Sequence, residues 1–336
     1  MKKAATFGLA VLLAVLGASC APQATTGAAA GEALIKLMPK GTTGVMAIDV
    51  QRAMGTEAAK KALQDPKAKE KYDEFVKMSG IDPMKDITYV GIGLTGNMAN
   101  LKEGGVIINM KYDPARLRTL IKEKAPEATE EAYNGIPVFS NLDGSETKKT
   151  TRAAFLDATH IVLGSENGVK AIIDVRQKKA ESIAKNPLMA SILKKVDKSG
   201  FAWGAFAVPQ DMVKKAVASS PQLKVLEGFT AMTMSFDYRL SAFVADIRAH
   251  GGTKEQNENL ASTLNGFKSL GAMFAAQEPL AGEALNGVEI SAGADYTRLS
   301  INLPQELLDK LGKMAGAKAG DYIKDKKKDE PAGEIK

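Results

Sequence analysis

The order of predicted strands and helices repeats in the two halves of this 336-residue chain, and the repeat constrains the fold more than any other feature. Each half begins with an apolar strand, a Lys- and Ala-rich helix and a second strand, at residues 44–50, 57–78 and 87–94 and again at 203–208, 210–218 and 229–236. The segments 50–54 and 208–212 occupy the same strand-to-helix junction. The pattern therefore predicts an internal duplication.

Each half continues with hairpins and further helices, so the fold class predicted is α+β. We expect two tandem, duplicated antiparallel-sheet units with helices packed on one face, ferredoxin-like in the broad sense. The predicted bounds are 33–182 for the first unit and 183–316 for the second, which opens with a bridging helix at 188–196. Residues 317–336 are rich in Lys and predict a disordered tail.

The N-terminus has the layout of an export signal. Met1-Lys2-Lys3 precedes an apolar segment at 4–16, which is shorter than the about 20 residues that span a bilayer. Small residues at 17–19 lead to Cys20, the only cysteine. This arrangement resembles the lipobox of bacterial lipoproteins, which implies that residues 1–19 are removed and that Cys20 becomes a lipidated N-terminus. Gly17 stands where that family usually has Leu, so secretion with cleavage near 28–30 is the alternative.

Residues 20–32 are rich in Ala, Thr and Gly and predict a flexible tether behind the lipid. Ala21 follows the cysteine in place of the Asp that often retains such proteins at the inner membrane. The resemblance therefore implies a lipid-anchored envelope protein, on the periplasmic face of the outer membrane where the cell has one. The partners predicted are the membrane, through the anchor, and an envelope protein. The globular part resembles no characterised family closely.

The amino-acid composition limits the kinds of functional site that the chain can form. A single cysteine supplies neither a disulfide framework nor a cysteine metal site. The two histidines, His160 and His250, have no companion at ligand spacing, so we predict no metal and no cofactor. Aromatic residues make up 6% of the chain, which counts against stacking surfaces for sugars or bases and against a nucleic-acid partner.

Two short motifs match the sequence patterns of known cofactor or catalytic sites but lack the neighbouring elements that those sites require. Residues 91–96 satisfy G-x-G-x-x-G, but the glycines alternate within a strand and no helix follows, so they favour close packing over dinucleotide binding. Residues 191–194 match the S-x-x-K of penicillin-interacting enzymes, whose other elements do not follow. We therefore predict no catalytic residues.

Three functions remain open. The first is a non-enzymatic envelope lipoprotein that binds or scaffolds a protein through small sheet positions, namely Gly91, Gly93, Ala231, Thr233 and Ser235. The second is a carrier of a lipid or other apolar ligand in a cavity lined by Met46, Met110, Met232, Met234 and Phe236. The third is a hydrolase with a pair of facing carboxylates.

Overall fold

The computed structural model describes residues 27–95, 104–142, 151–275 and 278–314. Within them, strands form one antiparallel sheet: β1 (Thr42–Asp49), β2 (Ile87–Thr95), β3 (Gly104–Met110), β4 (Thr129–Tyr133), β5 (Ile136–Ser140), β6 (Arg152–Asp157), β7 (His160–Gly164), β8 (Ala202–Ala207), β9 (Ala231–Arg239), β10 (Ala242–His250), β11 (Val288–Ala292) and β12 (Tyr296–Pro304). The order across the sheet is β11-β12-β10-β9-β8-β1-β2-β3-β7-β6-β5-β4.

The helices are α1 (Ala28–Ile35), α2 (Val50–Met54), α3 (Glu57–Ala62), α4 (Pro66–Ser79), α5 (Pro83–Asp86), α6 (Pro114–Lys124), α7 (Glu166–Arg176), α8 (Pro187–Leu193), α9 (Gln210–Ser219), α10 (Lys254–Ala275) and α11 (Pro279–Asn286). Residues 305–314 are also helical, and two 3-10 turns lie at Ile183–Lys185 and Pro221–Leu226. None of the helices in the described ranges is long and apolar enough to cross a membrane.

The two halves meet at the centre of the sheet, where β1 pairs with β8. Met46 lies opposite Gly204 at the middle of this pair, and the 158-residue offset between them equals the offset between Val50 and Val208 at the predicted junctions. Strand pairs outside the centre also correspond, because β1–β2–β3–β7 is matched by β8–β9–β10–β12. The predicted α+β class with antiparallel pairing is confirmed, whereas the finer comparison with ferredoxin-like units is not.

The helices divide between the two faces of the sheet, whereas the sequence indicated one helical face. On the first face, α1, α7 and α8 cover a core that includes Ile107, Val162 and Trp203. On the second face, α4 and α6 cover a cluster around Phe139 and Phe155. Both faces need cover because strands such as β6 carry apolar side chains on each side of the pleat.

Asp-Pro and Asn-Pro pairs start several helices. The side chains of Asp65 and Asp113 accept backbone N–H groups at the starts of α4 and α6, and that of Asn186 does so at α8. The proline that follows each one has no N–H to satisfy and its φ suits the first helical turn. These boundaries follow from local sequence alone.

Helix α1 begins inside the segment expected to be a flexible tether. Its Gly31 lies on the sheet, and an added Cβ would come within 3.2 Å of Ala47 and 3.3 Å of the Trp203 ring. Leu34 and Ile35 are buried and pack over Gly91, where a Cβ would lie 3.1 Å from Leu34. Burial of each such side chain contributes about 2 kcal/mol, enough to order an Ala-rich helix. The last five residues of the segment expected to be a tether, 28–32, are therefore helical.

A buried carboxylate links the two halves. Asp237 on β9 is 3% exposed and accepts hydrogen bonds from Arg52 of α2, at 2.7 Å, and from Arg239. Because Arg52 belongs to the first half and Asp237 to the second, the pair holds α2 against the end of β9.

Candidate functional site

Four polar residues form one straight row across the first unit. Asp49 of β1 pairs with Tyr89 of β2, Tyr89 pairs with Asn109 of β3, and Asn109 pairs with His160 of β7. Directly paired residues point to the same face, so all four side chains lie on the face that carries α1 and α7. We call this set the polar row.

Hydrogen bonds join the two members at each end of the polar row and determine their proton positions. The hydroxyl of Thr88 donates to Oδ1 of Asn109, so the Asn109 amide donates to Nε2 of His160 at 2.9 Å. Nδ1 of His160 therefore carries the proton and donates to Asp157 at 2.7 Å. At the other end, the hydroxyl of Tyr89 donates to Asp49 at 2.7 Å. Burial, with this hydrogen bond, raises the pKa of Tyr89, so the phenol stays protonated.

Asp157 fixes the outer end of the polar row. Partial burial alone would raise the pKa of this carboxyl. The backbone N–H of Thr159, the His160 ring and the Arg176 guanidinium at 3.0 Å outweigh burial, and together they lower the pKa to about 2. Asp157 is therefore ionised at neutral pH and holds both His160 and Arg176 in place.

An apolar wall stands opposite the polar row. The wall consists of four side chains at helical spacing near the start of the globular chain: Ala30, Ala33, Leu34 and Leu37. These side chains line a cleft, and its other side is formed by the polar row together with Thr88, Gln51 and Arg176. The cleft encloses about 380 Å³. This volume lies within the range of small-molecule sites.

Two lining side chains of opposite charge, Asp49 and Arg176, stand at the two ends of the cleft. Asp49 accepts hydrogen bonds from Tyr89 and from the backbone N–H of Arg52, and among the described residues no cationic nitrogen lies within 4 Å of its carboxylate. Arg176, at the far end, bonds Asp157 through one nitrogen and leaves its side chain 49% exposed. Both charged groups retain capacity for a ligand.

The second unit has an equivalent row without an equivalent site. Its members, in register, are Ala207, Ala231, His250 and Tyr296. Small residues replace the acid and the phenol, and His250 is buried with Nε2 2.9 Å from the Thr233 hydroxyl. Burial, with Lys195 nearby, lowers the pKa of His250. The polar cleft therefore belongs to the first unit.

The structure separates the residues that the sequence singled out. His160 lies in the polar row, whereas His250 is a packing residue. The small positions expected to offer an open sheet face are instead buried: α1 packs over Gly91, Met38 just after α1 packs over Gly93, and Ala231, Thr233 and Ser235 are enclosed in the second unit. That part of the scaffolding hypothesis is wrong, because the two glycines let α1 and the residues after it pack closely on the sheet.

The expected apolar cavity is also placed differently. None of the five residues predicted to line it lines the cleft. Met110 packs in the cluster around Phe139, and Met46 and Met234 flank Gly204 on the face opposite the polar row. The pleat explains the difference, since residues one position away from the polar row's members point the other way.

The remaining motifs contribute no site in the described part of the chain. Residues 91–95 lie within β2, and Ser191 is exposed on α8 while Ile192 enters the core. Within the same ranges there is no group of three potential metal ligands. The cleft has a single lining carboxylate, Asp49, and so lacks the facing pair that a carboxylate hydrolase needs. Cys20 and the tail at 317–336 lie outside the described residues.

Sequence reasoning missed Asp49, Tyr89, Asn109 and Arg176 as site residues. The available signal was a polar side chain at the end of an apolar strand: Asp49 ends β1, and His160 begins β7. That signal does not show which strands are neighbours, and the row exists only once β1, β2, β3 and β7 are ordered in the sheet.

No family model matches the chain, and no curated protein matches it. Among solved structures, crystal forms I and III of TP0453, from Treponema, are similar with 12% identity and a TM-score of 0.46 each, and cover 82% of this chain and 94% and 95% of theirs. Crystal form IV of TP0453 has 14% identity and a TM-score of 0.44, and covers 82% of this chain and 95% of its own.

Proposed function

We propose that this protein is a non-enzymatic lipoprotein of the cell envelope that binds a small amphipathic ligand in the cleft between α1 and the polar row. One observation carries the proposal: a wall of Ala and Leu side chains faces a row of hydrogen-bonding side chains across about 380 Å³. A ligand with one apolar side and one polar side satisfies both walls, because a purely apolar ligand leaves the polar groups unpaired.

The position of the cleft supports membrane-proximal binding. Gly27, where the described chain begins, donates its N–H to the Tyr89 hydroxyl at 3.1 Å, at the edge of the cleft. Six residues lie between Cys20 and Gly27, and an extended chain over those seven residue steps spans at most about 25 Å. With a lipid on Cys20, the cleft stays within that distance of the bilayer and takes its ligand from the membrane surface or the adjacent space.

Blocking the cleft tests the binding role. Ala33 is exposed and lines the cleft, so Ala33→Trp fills it without disturbing the core. Ala29 is exposed on the same helix outside the cleft, and Ala29→Trp is the matched control. We expect native mass spectrometry of envelope-purified protein to detect a bound small molecule on the wild type and on the control, and none on Ala33→Trp. A bound mass that persists equally in both variants contradicts the proposal.

Anchoring is tested separately with Cys20→Ser. The variant is expected to leave the membrane fraction because it lacks the thiol that accepts the lipid. Retention of this variant in the membrane at wild-type level contradicts the anchored placement, while ligand binding in the cleft is judged by the tryptophan variants alone.

A further inference from the structure

The opposite charges at the two ends of the cleft point to a class of ligand. Asp49 presents a carboxylate without an ion-pair partner among the described residues, and Arg176 presents a half-exposed guanidinium. We propose that the ligand is a short zwitterionic peptide with apolar side chains. Its ammonium group binds Asp49, and its carboxylate binds Arg176 and Asn109. This inference rests on the proposed function and specifies the ligand class.

The spacing of the polar row determines the length of the peptide. Asp49, Tyr89 and Asn109 lie on three neighbouring strands. Adjacent strands are about 4.8 Å apart, so Asp49 and Asn109 are separated by about 10 Å. An extended peptide spans about 3.3–3.6 Å per residue, so about three residues bridge the two groups. A single amino acid is too short to reach both.

The free hydrogen-bonding capacity matches peptide termini. One N–H of the Asn109 amide is held by His160 and the second remains for a ligand, while the Arg176 guanidinium keeps further donors beside it. A carboxylate accepts such paired donors well. Asp49 uses two of its acceptor positions on Tyr89 and the Arg52 backbone and retains others for an ammonium group.

The apolar wall accounts for the side chains. Ala30 and Leu37 are partly exposed and Ala33 is exposed, so this side of α1 and of the turn after it is not fully covered by the rest of the described chain. Small apolar side chains of a bound peptide bury this wall while the peptide termini satisfy the polar row. A fatty acid satisfies the wall and Arg176 but leaves Asp49 without a cation.

Calorimetric titration of the full chain in detergent tests the inference. The probes are the tripeptide Ala-Ala-Leu with free termini, its N-acetylated form, its C-terminal amide and dodecanoate. We expect the free tripeptide to bind, and each capped form to bind at least about tenfold more weakly because a charge-assisted hydrogen bond is lost.

Matched variants assign each terminus to its partner. The Asp49→Asn variant preserves the helix cap, and N-acetylation of the tripeptide is expected to cause no further loss of affinity in it. In the Arg176→Gln variant, amidation of the peptide's C-terminus is expected to cause no further loss of affinity. Asp113→Asn, another helix-capping aspartate, and Arg116→Gln lie outside the cleft lining and are expected to retain the full effect of both caps.

The other outcomes overturn the inference. Equal binding of free and capped peptides shows that the termini are not recognised, and capping effects that persist unchanged in both cleft variants place the peptide elsewhere. Binding of dodecanoate but of no peptide, abolished by Ala33→Trp, refutes the peptide and leaves the proposed function standing. If neither dodecanoate nor any peptide binds, and no small molecule co-purifies with the protein, the peptide inference and the proposed function are both refuted.

Discussion

Replacing Asp157 with Asn should make the folding stability of this protein less dependent on acid pH. Hydrogen bonds from Thr159, His160 and Arg176 overcome partial burial and lower the pKa of Asp157 from 3.8 to about 2. That difference corresponds to about 2 kcal/mol of folding free energy at neutral pH. Because the folded pKa is depressed, the contribution is complete above about pH 5 and disappears as the pH falls toward 2.

The size of the Asp157 contribution to stability at an intermediate pH provides the sharper test. At pH 3 about half of the contribution remains, since the folded carboxyl is still ionised while the unfolded one is mostly protonated. Urea unfolding at pH 7 and pH 3, followed by the fluorescence of Trp203, measures it directly. Trp203 is 2% exposed at the centre of the sheet and is the only tryptophan, so its emission reports loss of the core. We expect Asp157→Asn to be about 2 kcal/mol less stable than wild type at pH 7 and about 1 kcal/mol less stable at pH 3.

A stability difference that is the same at both pH values contradicts this prediction, because it means that the carboxylate charge of Asp157 contributes nothing. Asp113→Asn provides the control. Asp113 also accepts backbone N–H groups, but it is exposed and has no ion-pair partner among the described residues. Its substitution should change stability by a few tenths of a kcal/mol at both pH values.

Three further predictions concern packing and charge elsewhere in the sheet. Gly93→Val places the valine side chain against Met38 and should lower the free energy of unfolding by about 1–3 kcal/mol. Adding Met38→Ala should restore part of that stability, and a double variant with no recovery contradicts the clash. Asp237→Ala removes a buried carboxylate from two half-exposed arginines and should cost about 2 kcal/mol by urea unfolding, whereas an unchanged midpoint argues against a role in joining the halves. His250 has a lowered pKa, so wild-type stability should fall as the pH drops below 6.5; His250→Gln should flatten that slope, and an unchanged slope assigns it to another group.

Local sequence was sufficient to predict much of the secondary structure. The Asp-Pro pairs at 65–66 and 113–114 mark the starts of α4 and α6 because a side-chain cap and a proline act within one turn. The strand near 87–94 and the helix that starts at Glu166 also follow from short-range periodicity. Helix α1 was missed, since an Ala- and Gly-rich segment has the composition of a linker until a sheet buries one side of it.

By itself, the sequence determined the α+β class of fold and the alternation of side chains along each strand, both of which depend on neighbours close in the chain. The tertiary structure alone decided that β1, β2, β3 and β7 lie side by side, so that Asp49, Tyr89, Asn109 and His160 form one row although 20 to 51 residues separate successive members. Strand order, register and the helix that covers each face result from burial of surfaces distant in sequence. A local sequence pattern does not specify those long-range contacts.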